Sequence, residues 1–109
     1  MKKTMAAVSA VVLILSVAGT VFAYRDFFME FKARVVDQER RIHEGIRRGE
    51  LTPPEARELR DNLEYIKQEG NRVRADGLLT PREEHRLLRL LDESDRMIRQ
   101  KRHNYRRAY

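Results

Sequence analysis

Apolar residues recur at helical spacing through three consecutive stretches of this chain. Within each stretch they lie three or four positions apart, which places them on one helix face and is the a/d pattern of a coiled-coil seam. The faces consist of Phe28, Phe31, Val35, Gln38, Ile42 and Gly45/Ile46 in the first stretch, of Ala56, Leu59, Leu63, Ile66, Gly70 and Val73 in the second, and of Leu87, Leu91, Ser94, Ile98, Lys101 and Tyr105 in the third. The pattern predicts an all-α fold of three helices.

A repeated motif separates the three stretches. Residues 49–55 read GELTPPE and residues 77–83 read GLLTPRE, so the second copy begins 28 positions after the first. Such a glycine ends one helix, Thr caps the next, Pro suits its first position, and Glu at the third position completes a capping box. The motif predicts two capped turns, at residues 49–52 and 76–80. The capping residues are Thr52, Pro53, Glu55, Thr80, Pro81 and Glu83.

Turns this short make consecutive helices antiparallel. The predicted architecture is an elongated antiparallel helical hairpin or a three-helix bundle, coiled-coil-like in its seams; a first helix that projects as a stalk is an open alternative. In that helix an acid precedes a base by four positions at Glu30 and Arg34, at Asp37 and Arg41, and at Glu44 and Arg48. Such pairs stabilise a helix only weakly, so we expect them to mark a solvated face.

Residues 1–23 have the pattern of an export segment. Lys2 and Lys3 precede an uncharged run from Met5 to Ala23, which ends in small or branched residues where a signal peptidase cleaves. We interpret the segment as a signal peptide cleaved before Tyr24. An uncleaved inner-membrane anchor is the alternative, because the run is close to bilayer-spanning length. Both interpretations make residues 24–109 a single periplasmic or exported α-helical domain, with a basic C-terminal end at residues 96–109.

The composition narrows the classes of function. Of the 109 residues 37% are charged and none is cysteine, which excludes disulfides, a lipid-modified cysteine and thiol chemistry. After residue 23 the only serine is Ser94, within an apolar seam. A strongly charged chain of this length has too few apolar residues to enclose a catalytic pocket. We therefore expect a protein that is not an enzyme, with no catalytic residue and no cofactor.

Two patterns bear on metal binding. Residues 76–83 match the second half of an EF-hand loop, but Arg72 and Arg74 stand where the first two carboxylate ligands belong. The three histidines, His43, His85 and His103, lie far apart along the predicted helices without a paired ligand motif. We expect no calcium site and assign no metal ligand. A transition-metal site shared between distant helices or across a dimer stays open.

Two groups of residues are candidates for a partner surface. One is an aromatic and apolar cluster that is too dense for a single core-facing stripe. The other is the basic end of a chain that has 18 arginines and three lysines after residue 23. The alternatives are core packing for the first group and a solvated tail for the second. The candidate residues are Phe27, Phe28, Met29 and Phe31 in the cluster and Arg99, Lys101, Arg102, Arg106 and Arg107 at the basic end.

The paired motifs LTPPE at residues 51–55 and LTPRE at residues 79–83 carry a resemblance to a known family. In a small, exported, arginine-rich helical chain they resemble the L-T-x-x-Q motifs of the Spy/CpxP family of periplasmic stress proteins, with Glu at the position of the family's Gln. The resemblance implies a helical hairpin that dimerises into a cradle and acts as an ATP-independent chaperone or envelope-stress modulator.

These observations together predict a small periplasmic helical binding protein with a chaperone-like or envelope-stress role. Its expected partners are proteins or unfolded client chains, and a homodimer is compatible with the resemblance. Two alternatives stay open: a structural coiled-coil or assembly protein of the cell envelope, and a basic protein bound to an anionic membrane surface, since guanidinium groups bind phosphate and carboxylate. Export excludes nucleic acid as a partner in the cell.

Overall fold

A computed structural model describes the backbone of residues 2–108 and the side chains of residues 23–104. The helices are α1 (Lys2–Arg47), α2 (Pro53–Ala75) and α3 (Pro81–Ala108). The described residues form no strand, and the predicted all-α fold with three helices is confirmed. By its contacts the chain divides into two units, Met1–Glu30 and Phe31–Tyr109, and α1 runs through both.

The first turn is a Schellman motif, because Gly49 takes a positive φ of 71° just after the end of α1. The Gly49 amide donates to the Ile46 carbonyl at 3.0 Å, and the Glu50 amide donates to the Gly45 carbonyl at 2.8 Å. Leu51 then folds back against the last turn of α1. A Cβ on Gly45 would lie 2.7 Å from Leu51 Cδ1, so glycine allows this close approach.

Both predicted capping boxes are present. The Thr52 hydroxyl accepts from the Glu55 amide, and the Glu55 carboxylate accepts from the Thr52 amide at 3.0 Å. Thr80 and Glu83 make the same reciprocal pair at the start of α3. The pKa of Glu55 is lowered, first by the hydrogen bond from the Thr52 backbone and then by the one from its side chain. Gly77 has a φ of 72°, so both turns form as predicted.

Within Phe31–Tyr109 the three helices form a three-helix bundle. All six predicted seam residues of α2 are buried, and their counterparts on α3 are buried as far as Ile98. The α1 face is buried at Phe31, Val35, Gln38 and Ile42, whereas Ile46 is exposed. The core is therefore an apolar seam with two polar residues in it, Gln38 and Ser94.

Ion pairs between the helices show in which direction each helix runs relative to its neighbours. Glu39 on α1 pairs with Lys67 on α2, and on α2 Glu58 pairs with Lys101 and Glu69 with Arg86 of α3. Each later residue of α2 therefore meets an earlier residue of α3, which makes α2 antiparallel to α3. Helices α1 and α3 run parallel, since Arg34 pairs with Asp92 and Arg41 with Asp95.

The first unit is described from Ala23 onward at the level of side chains. In it the Phe28 ring lies 4.8 Å from that of Tyr24 and 5.2 Å from that of Phe27, measured between centroids. Among residues with described side chains, no helix has a stretch apolar and long enough to cross a membrane. The interpretation of residues 1–23 as a signal peptide or anchor lies outside those residues, apart from Ala23.

Gly70 provides the space for the ring of Phe31. A Cβ built on Gly70 would lie 2.6 Å from Phe31 Cε1 and 2.8 Å from Phe31 Cζ, closer than two carbon atoms can pack. Both residues are buried, so the ring has little freedom to move aside. The small residue in the α2 seam is thus a packing requirement between α1 and α2.

We expect Gly70→Ala to destabilise the protein by about 1 kcal/mol. Alanine favours a helix by about 1 kcal/mol over glycine, but overpacking a core costs roughly 1–3 kcal/mol. In a Phe31→Leu background the same substitution becomes neutral or stabilising, because leucine lacks the far edge of the ring. Urea denaturation of the four variants measures the coupling. An equal gain in stability from Gly70→Ala in both backgrounds would contradict this packing.

Candidate functional site

A buried hydrogen-bond pair joins α1 to α3 in the middle of the seam. The Gln38 amide nitrogen donates to the Leu91 carbonyl at 3.0 Å, and the Ser94 hydroxyl donates to Gln38 Oε1 at 2.6 Å. Gln38 is 2% exposed and Ser94 is fully buried. Each buried polar group is thereby satisfied, which removes the cost of placing it among apolar side chains. The single serine after residue 23 has a structural role here.

Two arginines of α1 extend along the same interface. Arg34 Nη2 lies 2.8 Å from Asp92 Oδ1, and Arg41 donates to Asp95. The sequence predicted that Arg34 and Arg41 belong to a solvated face paired within α1. That expectation is wrong for their main partners, because both side chains reach α3; Arg41 keeps only a 3.9 Å contact with Asp37.

The Arg41 contact changes the ionisation of Asp95. The pKa of Asp95 is lowered, first by the hydrogen bond from Arg41, with further lowering by the charges of Arg41, Arg99 and Arg34, while partial burial opposes the change. At neutral pH Asp95 is therefore a carboxylate held between cations. This charge arrangement holds the last third of α1 against α3.

A cationic concavity lies beside this pair, at the end of α1. It has a volume of about 330 Å³ and is lined by Arg41, Glu50, Arg99, Arg102 and His103. Arg102 is fixed inside it: its Nε lies 2.5 Å from Glu50 Oε2, and its Nη1 donates to the Arg41 carbonyl at 3.3 Å. The first turn therefore positions an arginine that comes from the far end of α3.

The predicted basic surface divides into paired and exposed cations. Lys101 pairs with Glu58 at 3.0 Å and Arg102 pairs with Glu50, so each of these cations already has an acidic partner in the bundle. Arg99 is 66% exposed and lies 3.5 Å from Asp95 Oδ2. Arg106 and Arg107 lie outside the residues whose side chains are described. Within the described part of residues 96–109, Arg96, Arg99 and His103 are exposed, whereas Lys101 and Arg102 are half-buried.

The predicted aromatic surface divides in the same way. Phe31 packs against Gly70 in the bundle core, so it does not belong to an exposed partner surface. Phe28 is also buried, and Phe27 is half-buried. Met29 is 62% exposed. The helical period explains the difference, since positions 28 and 31 lie on one face of α1 and position 29 does not.

An apolar groove between the end of α1 and the start of α2 was not predicted. It has a volume of about 500 Å³, an apolar floor and a charged rim. Its lining consists of Ile46, Leu51, Pro53 and Ala56 on the floor and Arg57, Arg60 and Asp61 on the rim. The sequence signal was Ile46, which shares a position on the predicted α1 face with Gly45. The Schellman turn buries Gly45 and leaves Ile46 exposed.

The structure shows where the candidate metal-ligating side chains lie. Residues 23–104 contain no group of three His, Asp or Glu side chains that could hold a metal ion. His43 lies on α1, His85 and His103 both lie on α3, and all three side chains are exposed. Searches against protein-family models, curated proteins and solved structures found no match to this chain. The cationic concavity and the apolar groove are the candidate binding sites considered below.

The Arg41–Asp95 contact predicts a pH-dependent contribution to stability. Because the folded-state pKa of Asp95 is lowered, its contribution is present above the unfolded-state pKa near 4 and is lost as pH falls through the lower folded-state value. We expect Asp95→Asn to cost roughly 1 kcal/mol at pH 6 to 7, and the difference from wild type to shrink below about pH 4. Urea denaturation as a function of pH measures this.

Asp61→Asn is the matched control, since Asp61 is an exposed aspartate in the middle of α2. It should change the free energy of unfolding at neutral pH by much less than Asp95→Asn. A wild-type advantage over Asp95→Asn that stays constant down to pH 2 would contradict the ionic origin of the effect.

Proposed function

We propose that this chain is a small exported helical binding protein with a chaperone-like role, which holds apolar segments of other proteins without ATP. The observation that carries the proposal is the apolar groove between α1 and α2, because it is open, lined by apolar residues and rimmed by charge. Concave apolar surfaces with a few polar groups are the usual form of a binding site. Export is supported by the pattern of residues 1–23.

The rim of the groove favours one kind of occupant. Arg57 and Arg60 outnumber Asp61 there, and all three are exposed. The matching occupant is an extended or helical segment with apolar side chains next to acidic ones. Apolar contact supplies most of the affinity in such grooves, and the arginines favour acidic flanks over basic ones. The resemblance of the capped motifs to periplasmic stress proteins is compatible with this role.

The rival proposals make different predictions about association. A structural coiled-coil protein of the envelope forms a stable high-order homo-oligomer with no affinity for unfolded chains. A membrane-surface protein cosediments with anionic vesicles in a salt-dependent way. Light scattering and client binding, measured on the same preparation, separate these possibilities from a chaperone-like protein.

We expect the full chain to suppress aggregation of a denatured model protein without ATP, and Ile46→Gln to weaken this effect. Removing one apolar contact in the groove corresponds to about a fivefold increase in the concentration needed for half suppression. Val36→Gln is the matched control: Val36 is also exposed, apolar and on α1, but it does not line the groove. It should leave suppression unchanged. Thermal unfolding confirms that both variants remain folded.

An absence of suppression by the wild-type chain, even in large molar excess, would contradict the chaperone-like proposal. Equal loss in Ile46→Gln and Val36→Gln would contradict the assignment of the groove.

A further inference from the structure

The cationic concavity at the end of α1 brings together cations from two helices. Arg41 comes from α1, Arg99, Arg102 and His103 come from α3, and Glu50 comes from the first turn. The site is partly preorganised, because the Arg102 side chain is only 18% exposed and is held by Glu50 and by the Arg41 carbonyl. A guanidinium already fixed in place loses little freedom when it binds.

The lining of the concavity has more arginines than carboxylates. Three guanidinium groups line it, those of Arg41, Arg99 and Arg102, whereas Glu50 is the one carboxylate in the lining. Two further carboxylates contact these arginines from outside the lining: Asp95 contacts Arg41 and, at 3.5 Å, Arg99, and Asp37 lies 3.9 Å from Arg41. Arg99 is the most exposed of the three arginines, so it is the one most accessible to a ligand.

Donors also remain for a further acceptor. Within the described part of the chain, Arg102 donates hydrogen bonds through Nε and Nη1, so its Nη2 remains as a donor for a ligand. Arg99 has one ion pair there, longer than a hydrogen bond, and His103 lies one helical turn beyond it on α3. The remaining donors come from separate side chains around one concavity. That arrangement suits a tetrahedral oxyanion, whereas a planar carboxylate matches a single guanidinium fork.

We propose that this concavity binds a phosphate group, with Arg99, Arg102 and His103 as its ligands. Free inorganic phosphate and the phosphate of a lipid headgroup present the same oxyanion. The site is separate from the apolar groove, with which it has no lining residue in common. Phosphate binding at this site therefore does not depend on the chaperone-like function, and its absence would not contradict that function.

The test is an NMR titration of the full chain with inorganic phosphate, at constant ionic strength maintained with chloride. We expect saturable shifts of the Arg99 and Arg102 side-chain Nε–H signals and of the His103 ring signals. Arg99→Gln should weaken phosphate binding by about fivefold. Arg89→Gln is the matched control, since Arg89 is an exposed arginine of α3 that does not line the site; it should leave binding within about twofold.

A second arm identifies the source of the phosphate. Vesicles of phosphatidylglycerol are compared with vesicles of phosphatidylcholine, and the readout is the difference between the Arg99→Gln and Arg89→Gln variants, because residues 1–23 are common to both. A larger loss in Arg99→Gln, confined to the anionic vesicles, assigns a lipid headgroup; phosphate binding with no such difference assigns free phosphate.

Three results would overturn the proposal. They are a linear, non-saturating response to phosphate, equal weakening in Arg99→Gln and Arg89→Gln, and vesicle binding without any binding of inorganic phosphate.

Discussion

The hydrogen-bonded pair of Gln38 and Ser94 is the contact on which the arrangement of the bundle depends. Short turns determine how α1 meets α2 and how α2 meets α3, but no turn joins α1 to α3. An apolar seam alone allows two parallel helices to slide by a turn at modest cost. A slide here would leave the Gln38 amide and the Ser94 hydroxyl buried without partners, which costs about 1–3 kcal/mol for each unsatisfied group. Polar residues in a seam specify register in this way.

Both candidate sites follow from that register and from the first turn. With Gln38 opposite Ser94, Arg41 meets Asp95, and Arg102 reaches Glu50 about two turns further along α3. The cationic concavity is the space between these two pairs. The Schellman turn places Leu51 under Gly45 and leaves Ile46 outside, which opens the apolar groove on the other side of α1. One turn thus contributes a lining residue to each site, Glu50 to the first and Leu51 to the second.

Local signals in the sequence predicted the helices well, whereas partners from distant parts of the chain could not be predicted. The α2 seam and both capping boxes depend on residues a few positions apart, and both have the predicted form. Arg34 and Arg41 each had an acid four positions earlier, so local pairing was the natural expectation. Glu50 and Leu78 occupy equivalent positions in the repeat, yet Glu50 is buried against Arg102 and Leu78 is 70% exposed. Only the fold brings Arg102 to one turn and not to the other.

The register of α1 against α3 can be measured directly by pulsed electron spin resonance. The chain has no cysteine, so spin labels at Val36→Cys and Gln100→Cys, both exposed positions, report one distance between the two helices. We expect a single narrow distance distribution when Gln38 and Ser94 are present. In a Gln38→Leu/Ser94→Ala background we expect a broadened or second distribution, displaced by up to about 5 Å, the length of one helical turn. An unchanged narrow distribution in that background would contradict the claim that this pair sets the register.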